Sequence, residues 1–128
     1  MNLKLFVCCI LPAQLCFAVP TAVAHGEADA AQHGGQYTGV EGHHGVEMVS
    51  TEDVLIFFLT ENGKPMDLTD ASFKAVVQTD AGTKILPLTV ENGTLKTRLE
   101  KALPTGAKVV LSGQEKDGHT LQTRFVKE

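Results

Sequence analysis

The sequence predicts an all-β fold made of antiparallel sheets, and three observations carry that expectation. Short apolar and β-branched runs with period-two alternation recur from Val46 to the end of the chain. Turn glycines at 63, 82, 93, 106 and 118 separate those runs by 11 to 19 residues. No stretch repeats apolar residues at helical spacing, and no internal repeat stands out.

Taken in order, the first strand spans about Val46 to Ser50. The second, Val54 to Thr60, is apolar on both parities: Val54, Ile56 and Phe58 on one side, Leu55, Phe57 and Leu59 on the other. That pattern predicts a central strand covered on both faces. Asn62-Gly63 then supplies a tight turn, and Pro65 cannot donate to a ladder. The third strand runs from about Phe73 to Thr79, with Phe73, Ala75 and Val77 alternating against Lys74 and Gln78. The fourth, about Lys84 to Val90, contains Pro87, which places it at a sheet edge or a bulge. Thr94 to Glu100 has the cleanest alternation, with Leu95, Thr97 and Leu99 facing inward. Lys108 to Ser112 and His119 to Val126 complete the set. Seven such strands predict an antiparallel β-sandwich of immunoglobulin-like or cupredoxin-like build.

Ahead of the strands, the first 24 residues have the build of a secretory signal peptide. Lys4 precedes an apolar stretch from Leu5 to Val19, and Ala22-Val23-Ala24 offers a cleavage site. Pro12 and Gln14 interrupt the apolar stretch and Pro20 ends it, which argues against a permanent membrane anchor. Cys8, Cys9 and Cys16 would all leave with this peptide, so neither a disulfide nor a thiolate ligand is expected in the mature chain. The 104 residues that remain of the 128 suit one small domain, with residues 25–44 as a flexible arm and 45–128 as the sandwich.

Charge is divided unevenly. Between His25 and Gly63 there are seven acidic side chains and no lysine or arginine; from Lys64 onward there are eight acids and ten bases. The front of the chain is therefore a local sink for cations or, on the blander reading, an acidic solvating leader. Nucleic acid is a poor partner for such a surface, because it needs a basic footprint.

The same stretch holds four of the five histidines, at positions 25, 33, 43 and 44, interleaved with glycines and carboxylates. Neutral imidazole with carboxylate and no sulfur suits a divalent transition metal: zinc, copper(II) or nickel. His25, His33, His43, His44 and Glu47 are the expected metal ligands. His43 and Glu47 share parity in a regular strand, so they are the favoured pair, with His33 brought in by the Gly34-Gly35 hinge. His25 would chelate through its own free amine if cleavage follows Ala24. His119, after the Asp117-Gly118 turn, reads as a hydrogen-bonded turn residue. The histidines are also suited to sensing pH.

Catalysis has little support. The mature chain offers no cysteine nucleophile, glycine-flanked serine elbow or phosphate-cradling loop, so a non-enzyme is expected. The alternative to metal binding is a structural interaction module that docks an envelope partner through the edge of the Pro87 strand.

His33-Gly34-Gly35, His43-His44-Gly45-Val46-Glu47, Asn62-Gly63-Lys64-Pro65 and the closing run from Gly118 to Arg124-Phe125 together resemble small periplasmic proteins of Gram-negative bacteria. Those proteins are associated with heavy-metal efflux pumps of the resistance-nodulation-division type. The His-Gly-Gly and His-x-x-Glu elements are also similar to the front of some periplasmic adaptor subunits of those pumps. The resemblance implies a periplasmic protein that binds metal or assists its efflux, with a component of the efflux system as partner. Only Met48 and Met66 remain after Ala24, a departure from handlers of copper(I) and silver(I).

Overall fold

A computed structural model describes residues 30–41 and 43–128. The expected signal peptide, His25 and Gly42 lie outside the described residues. Among the described residues ten strands are formed: β1 (Gln36–Val40), β2 (His44–Ser50), β3 (Val54–Glu61), β4 (Lys64–Pro65), β5 (Ser72–Thr79), β6 (Gly82–Pro87), β7 (Thr89–Glu91), β8 (Thr94–Arg98), β9 (Lys108–Gln114) and β10 (Thr120–Val126). They make two antiparallel sheets. One has the order β1-β2-β3-β8-β7 with β4 paired to β3, and the other β10-β9-β5-β6.

Strand alternation puts one apolar set from each sheet into a shared core. Val46, Met48, Leu55, Phe57, Leu59 and Leu95 come from the first sheet; Phe73, Ala75, Val77, Val109, Leu111, Leu121 and Phe125 come from the second. β3 is central, as its two-sided apolar pattern predicts, because β2 and β8 flank it. Its second apolar face, carrying Ile56 and Phe58, is only half-buried.

The expected seven strands become ten for three local reasons. Gln36–Val40, read as part of a flexible arm, pairs along its whole length with β2 and becomes an edge strand. Gln36 ties that edge to the other sheet: its side-chain amide donates to the Val126 carbonyl at 2.7 Å and accepts from the Glu128 N–H at 3.1 Å. Lys64–Pro65 adds a two-residue return against Thr60 and Glu61, closed by Asn62 and Gly63, both with positive φ. The expected fourth strand is divided at Leu88. β6 ends at Pro87 as the edge of the second sheet, and β7 begins at Thr89 as the edge of the first. Proline has no N–H for a further rung, which favours the change of sheet at that point.

Phe57 is fully buried, whereas its neighbour Phe58 faces outward from the same strand. Phe57→Ala should therefore cost about 3–5 kcal/mol in urea unfolding, and Phe58→Ala well under that. Equal losses would contradict this assignment of faces.

Candidate metal centre at one end of the two sheets

The residues expected to share one site are divided by strand parity. On β2, Val46 and Met48 face the core, so Glu47 projects from the outer face between Tyr37 of β1 and Phe58 of β3. Glu47 is nonetheless only 4% exposed. Residues 32–35 fold over it: the N–H groups of Gln32, His33 and Gly35 donate to its oxygens at 3.0, 2.8 and 2.9 Å. His33 Nδ1 lies 2.8 Å from Oε2, and the His33 ring stacks on Phe58 with centroids 3.6 Å apart and planes 4° from parallel.

The glycines make this wrap possible. Gly34 adopts a φ of +76°, and a Cβ on Gly35 would run into the Met48 carbonyl. Burial pushes the Glu47 carboxyl up, but the His33 imidazole and the N–H groups of Gly35, Gln32 and His33 outweigh it and hold the group below its ordinary value of 4.5. His33 and Glu47 do come together, then, but as a clasp. An ion placed between them would have to displace these hydrogen bonds, each made to a buried charge.

The favoured pairing of His43 with Glu47 rested on both lying in a regular strand. His43 instead sits in the turn before β2, exposed and with φ of +68°, and its carbonyl accepts from the Asn62 N–H at 2.9 Å. His44 opens β2 on the same parity as Val46 and Met48, opposite to Glu47. It points across the end of the two sheets toward the turn between β9 and β10.

That turn contributes Glu115, Asp117 and His119. Glu115 N–H donates to the His119 carbonyl and Gly118 N–H to the Glu115 carbonyl, both at 2.9 Å, with Gly118 at φ +89°. Asp117 accepts the His119 N–H at 3.0 Å, and its other oxygen lies 2.9 Å from His119 Nδ1. The His119 N–H is the main influence holding the Asp117 carboxyl below its ordinary value of 3.8. One ligand atom from each of Glu115, Asp117 and His119 falls within 4.8 Å of the other two, a spacing at which the group could hold a metal ion. His119 is thus the hydrogen-bonded turn residue that its sequence position implies, and also a potential ligand.

His44 completes the pole. Its Nδ1 lies 3.1 Å from the Glu41 carbonyl, and its Nε2 is 2.9 Å from Glu115 Oε1 and 4.0 Å from Glu61 Oε1. His44 and Glu61 are cross-strand partners at the ends of β2 and β3. Beside them an open groove of about 560 Å³ is lined by Tyr37, Gly39, Val40, His43, His44, Asn62 and Gly63. Of the five proposed ligands, only His44 lies against the Glu115 group; His33 and Glu47 lie on the outer face, and His25 lies outside the described residues. Glu115 escaped the sequence reading. The available signal was its position two residues before the Asp117-Gly118 turn, with His119 two residues after Asp117.

No protein family, curated protein or solved structure matches this chain.

The clasp has a calculable sign with pH. Because the fold holds Glu47 below 4.5, its stabilising contribution is present above that pH and is lost as the pH falls through the depressed value. Glu47→Gln should reduce the unfolding free energy by about 1–3 kcal/mol at neutral pH. The gap to wild type should narrow below pH 4.5 in urea titrations. A gap independent of pH would mean that the charge is not what the clasp uses.

Proposed function

We propose that this protein binds a divalent transition metal at the pole formed by the β9–β10 turn, as a periplasmic accessory to metal efflux or resistance. The observation that carries the reading is the convergence of Glu115, Asp117 and His119 to within 4.8 Å. Three ligands of this kind leave a coordination position for water or a receiving partner, as suits a protein that takes up an ion and passes it on. Nitrogen and oxygen donors without sulfur favour zinc, copper(II) or nickel. Export rests on the signal-like first 24 residues, and the efflux context and partner rest on the resemblance of the short motifs. The reading is of a binding protein and not of an enzyme.

An immunoglobulin-like connectivity is supported by strand order. The run β2-β3-β8-β7 corresponds to strands A, B, E and D of that fold, and β10-β9-β5-β6 to G, F and C followed by an added edge strand. This order favours it over a cupredoxin-like arrangement.

A second reading, an interaction module docking an envelope partner, is favoured by β6. It is the last strand of its sheet and carries Ile85 at 64% exposure, beside Val76 on the outer face. Ile85→Lys separates the two readings, since it should abolish partner capture under the second and leave metal uptake unchanged under the first.

Calorimetric titration of tag-free protein with zinc, nickel and copper(II) tests the metal reading. Asp117→Ala and His119→Ala should each weaken binding at least tenfold, about 1.4 kcal/mol, without lowering the urea midpoint appreciably. Equal affinity in wild type and both variants would remove the β9–β10 turn as the site.

A further inference from the structure

His44 and Glu115 form a second feature at this pole, and strand order does not require it. Their side chains are 14% and 11% exposed, and Nε2 and Oε1 stand 2.9 Å apart. Both atoms are buried, yet they are not aligned as a hydrogen bond and have no other hydrogen-bond partner. A carbonyl can only accept, so the contact of His44 Nδ1 with the Glu41 oxygen puts the imidazole proton on Nδ1. In the neutral ring Nε2 then carries a bare lone pair that faces a carboxylate oxygen. Two buried acceptors at this distance repel unless a positive charge lies beside both. A proton on Nε2 would supply that charge as an ion pair, though without an aligned hydrogen bond. A metal ion set off the N–O line supplies it as well and gives both lone pairs a partner. Two ligand atoms bound to one metal at about 2.0–2.2 Å lie roughly 2.8–3.1 Å apart at the right angle of an octahedral site and roughly 3.3–3.6 Å apart at the tetrahedral angle, so the observed 2.9 Å matches the former. Donation of the other ring nitrogen to a backbone carbonyl is the usual support for a metal-ligating histidine.

We propose that His44 Nε2 and Glu115 bind a second divalent ion, with Glu61 as the third ligand, and that the Glu115 carboxylate bridges it to the ion held with Asp117 and His119. This rests on the metal reading of the β9–β10 turn. Glu115 is common to both sets, and a carboxylate has an oxygen for each ion. Glu61 Oε1 is 4.0 Å from Nε2 on a half-exposed side chain, close enough for a rotamer change to bring it into coordination. The two ions would sit at different depths: His44 is mostly buried, while His119 is 80% exposed.

Native mass spectrometry and calorimetry with zinc, on tag-free protein, test the assignment. Wild type should bind two zinc ions per chain. His44→Ala and His119→Ala should each bind one, and Glu115→Gln should lose at least tenfold in affinity at both positions. Unfolding midpoints are measured on each variant, and ¹⁵N NMR of the wild-type histidine rings gives a readout that needs no substitution: zinc should shift His44 Nε2 while Nδ1 keeps its proton. One zinc per chain, lost in His119→Ala and unchanged in His44→Ala, with His44 Nε2 unmoved, would overturn the second site and leave the proposed function standing. No zinc bound by wild type would overturn both.

Discussion

A carboxylate buried on the outside of a sheet has to be supplied with donors by something that is not the sheet, and Glu47 imposes that requirement on the front of this molecule. β2 cannot satisfy it, because its own N–H groups are committed to β1 and β3 on either side. The donors come instead from the chain just before β1, which turns back at Gly34 and places three N–H groups and one imidazole on the two oxygens. Once residues 32–35 are held there, β1 is delivered to the edge of β2 in register, with Tyr37 opposite Glu47 and Gln36 free to reach Val126 on the other sheet. An isolated charge at this position would be expensive to bury. The local fold is the arrangement that avoids leaving it isolated.

The parts of this architecture that were legible in the sequence are those governed by residues close to one another. Alternation at Phe73, Ala75 and Val77, or at Leu121 and Phe125, reports directly which side chains enter the core. Asn62-Gly63, Asn92-Gly93 and Asp117-Gly118 mark turns, with positive φ at Asn62 and Asn92 and at all three glycines. β1 was hidden because Gln36-Tyr37-Thr38-Gly39-Val40 has only one aliphatic residue to pack inward, and its strand state is imposed by β2 and by the Glu47 clasp. The change of sheet at Leu88 was announced by Pro87, but only as an interruption. Which sheet receives the chain afterward is decided by pairing between Thr89–Glu91 and Thr94–Lys96.

The candidate site was less legible, and the reason is the same. His44 was marked as a ligand, but the carboxylate it faces lies 71 positions further along the chain, in a turn whose sequence reads as an ordinary hairpin. The stretch from His25 to Gly63 supplies acid and histidine without a lysine or arginine, which is a property of composition; the pole gathers His43, His44, Glu41, Glu61, Glu115, Asp117 and His119, which is a property of topology. Three turns, before β2, after β3 and after β9, end at the same side of the two sheets because the strands they close are antiparallel neighbours or face each other across the core.

Parity along β2 then separates two tasks that the sequence had placed in one stretch. His44 and Glu47 are three residues apart, an odd interval, so a regular strand sends them to opposite faces. Glu47 is spent on holding the N-terminal wrap to the outer face, where its lone pairs are already used. His44 is left at the inner side of the strand end, with one nitrogen anchored by Glu41 and the other turned to Glu115. Because the clasp anchors the segment leading into β1, and β1 runs directly into the turn that carries Glu41, the geometry of His44 depends on the wrap as well as on β2. His44 is thus positioned in part by a carboxylate, Glu47, that does not touch it.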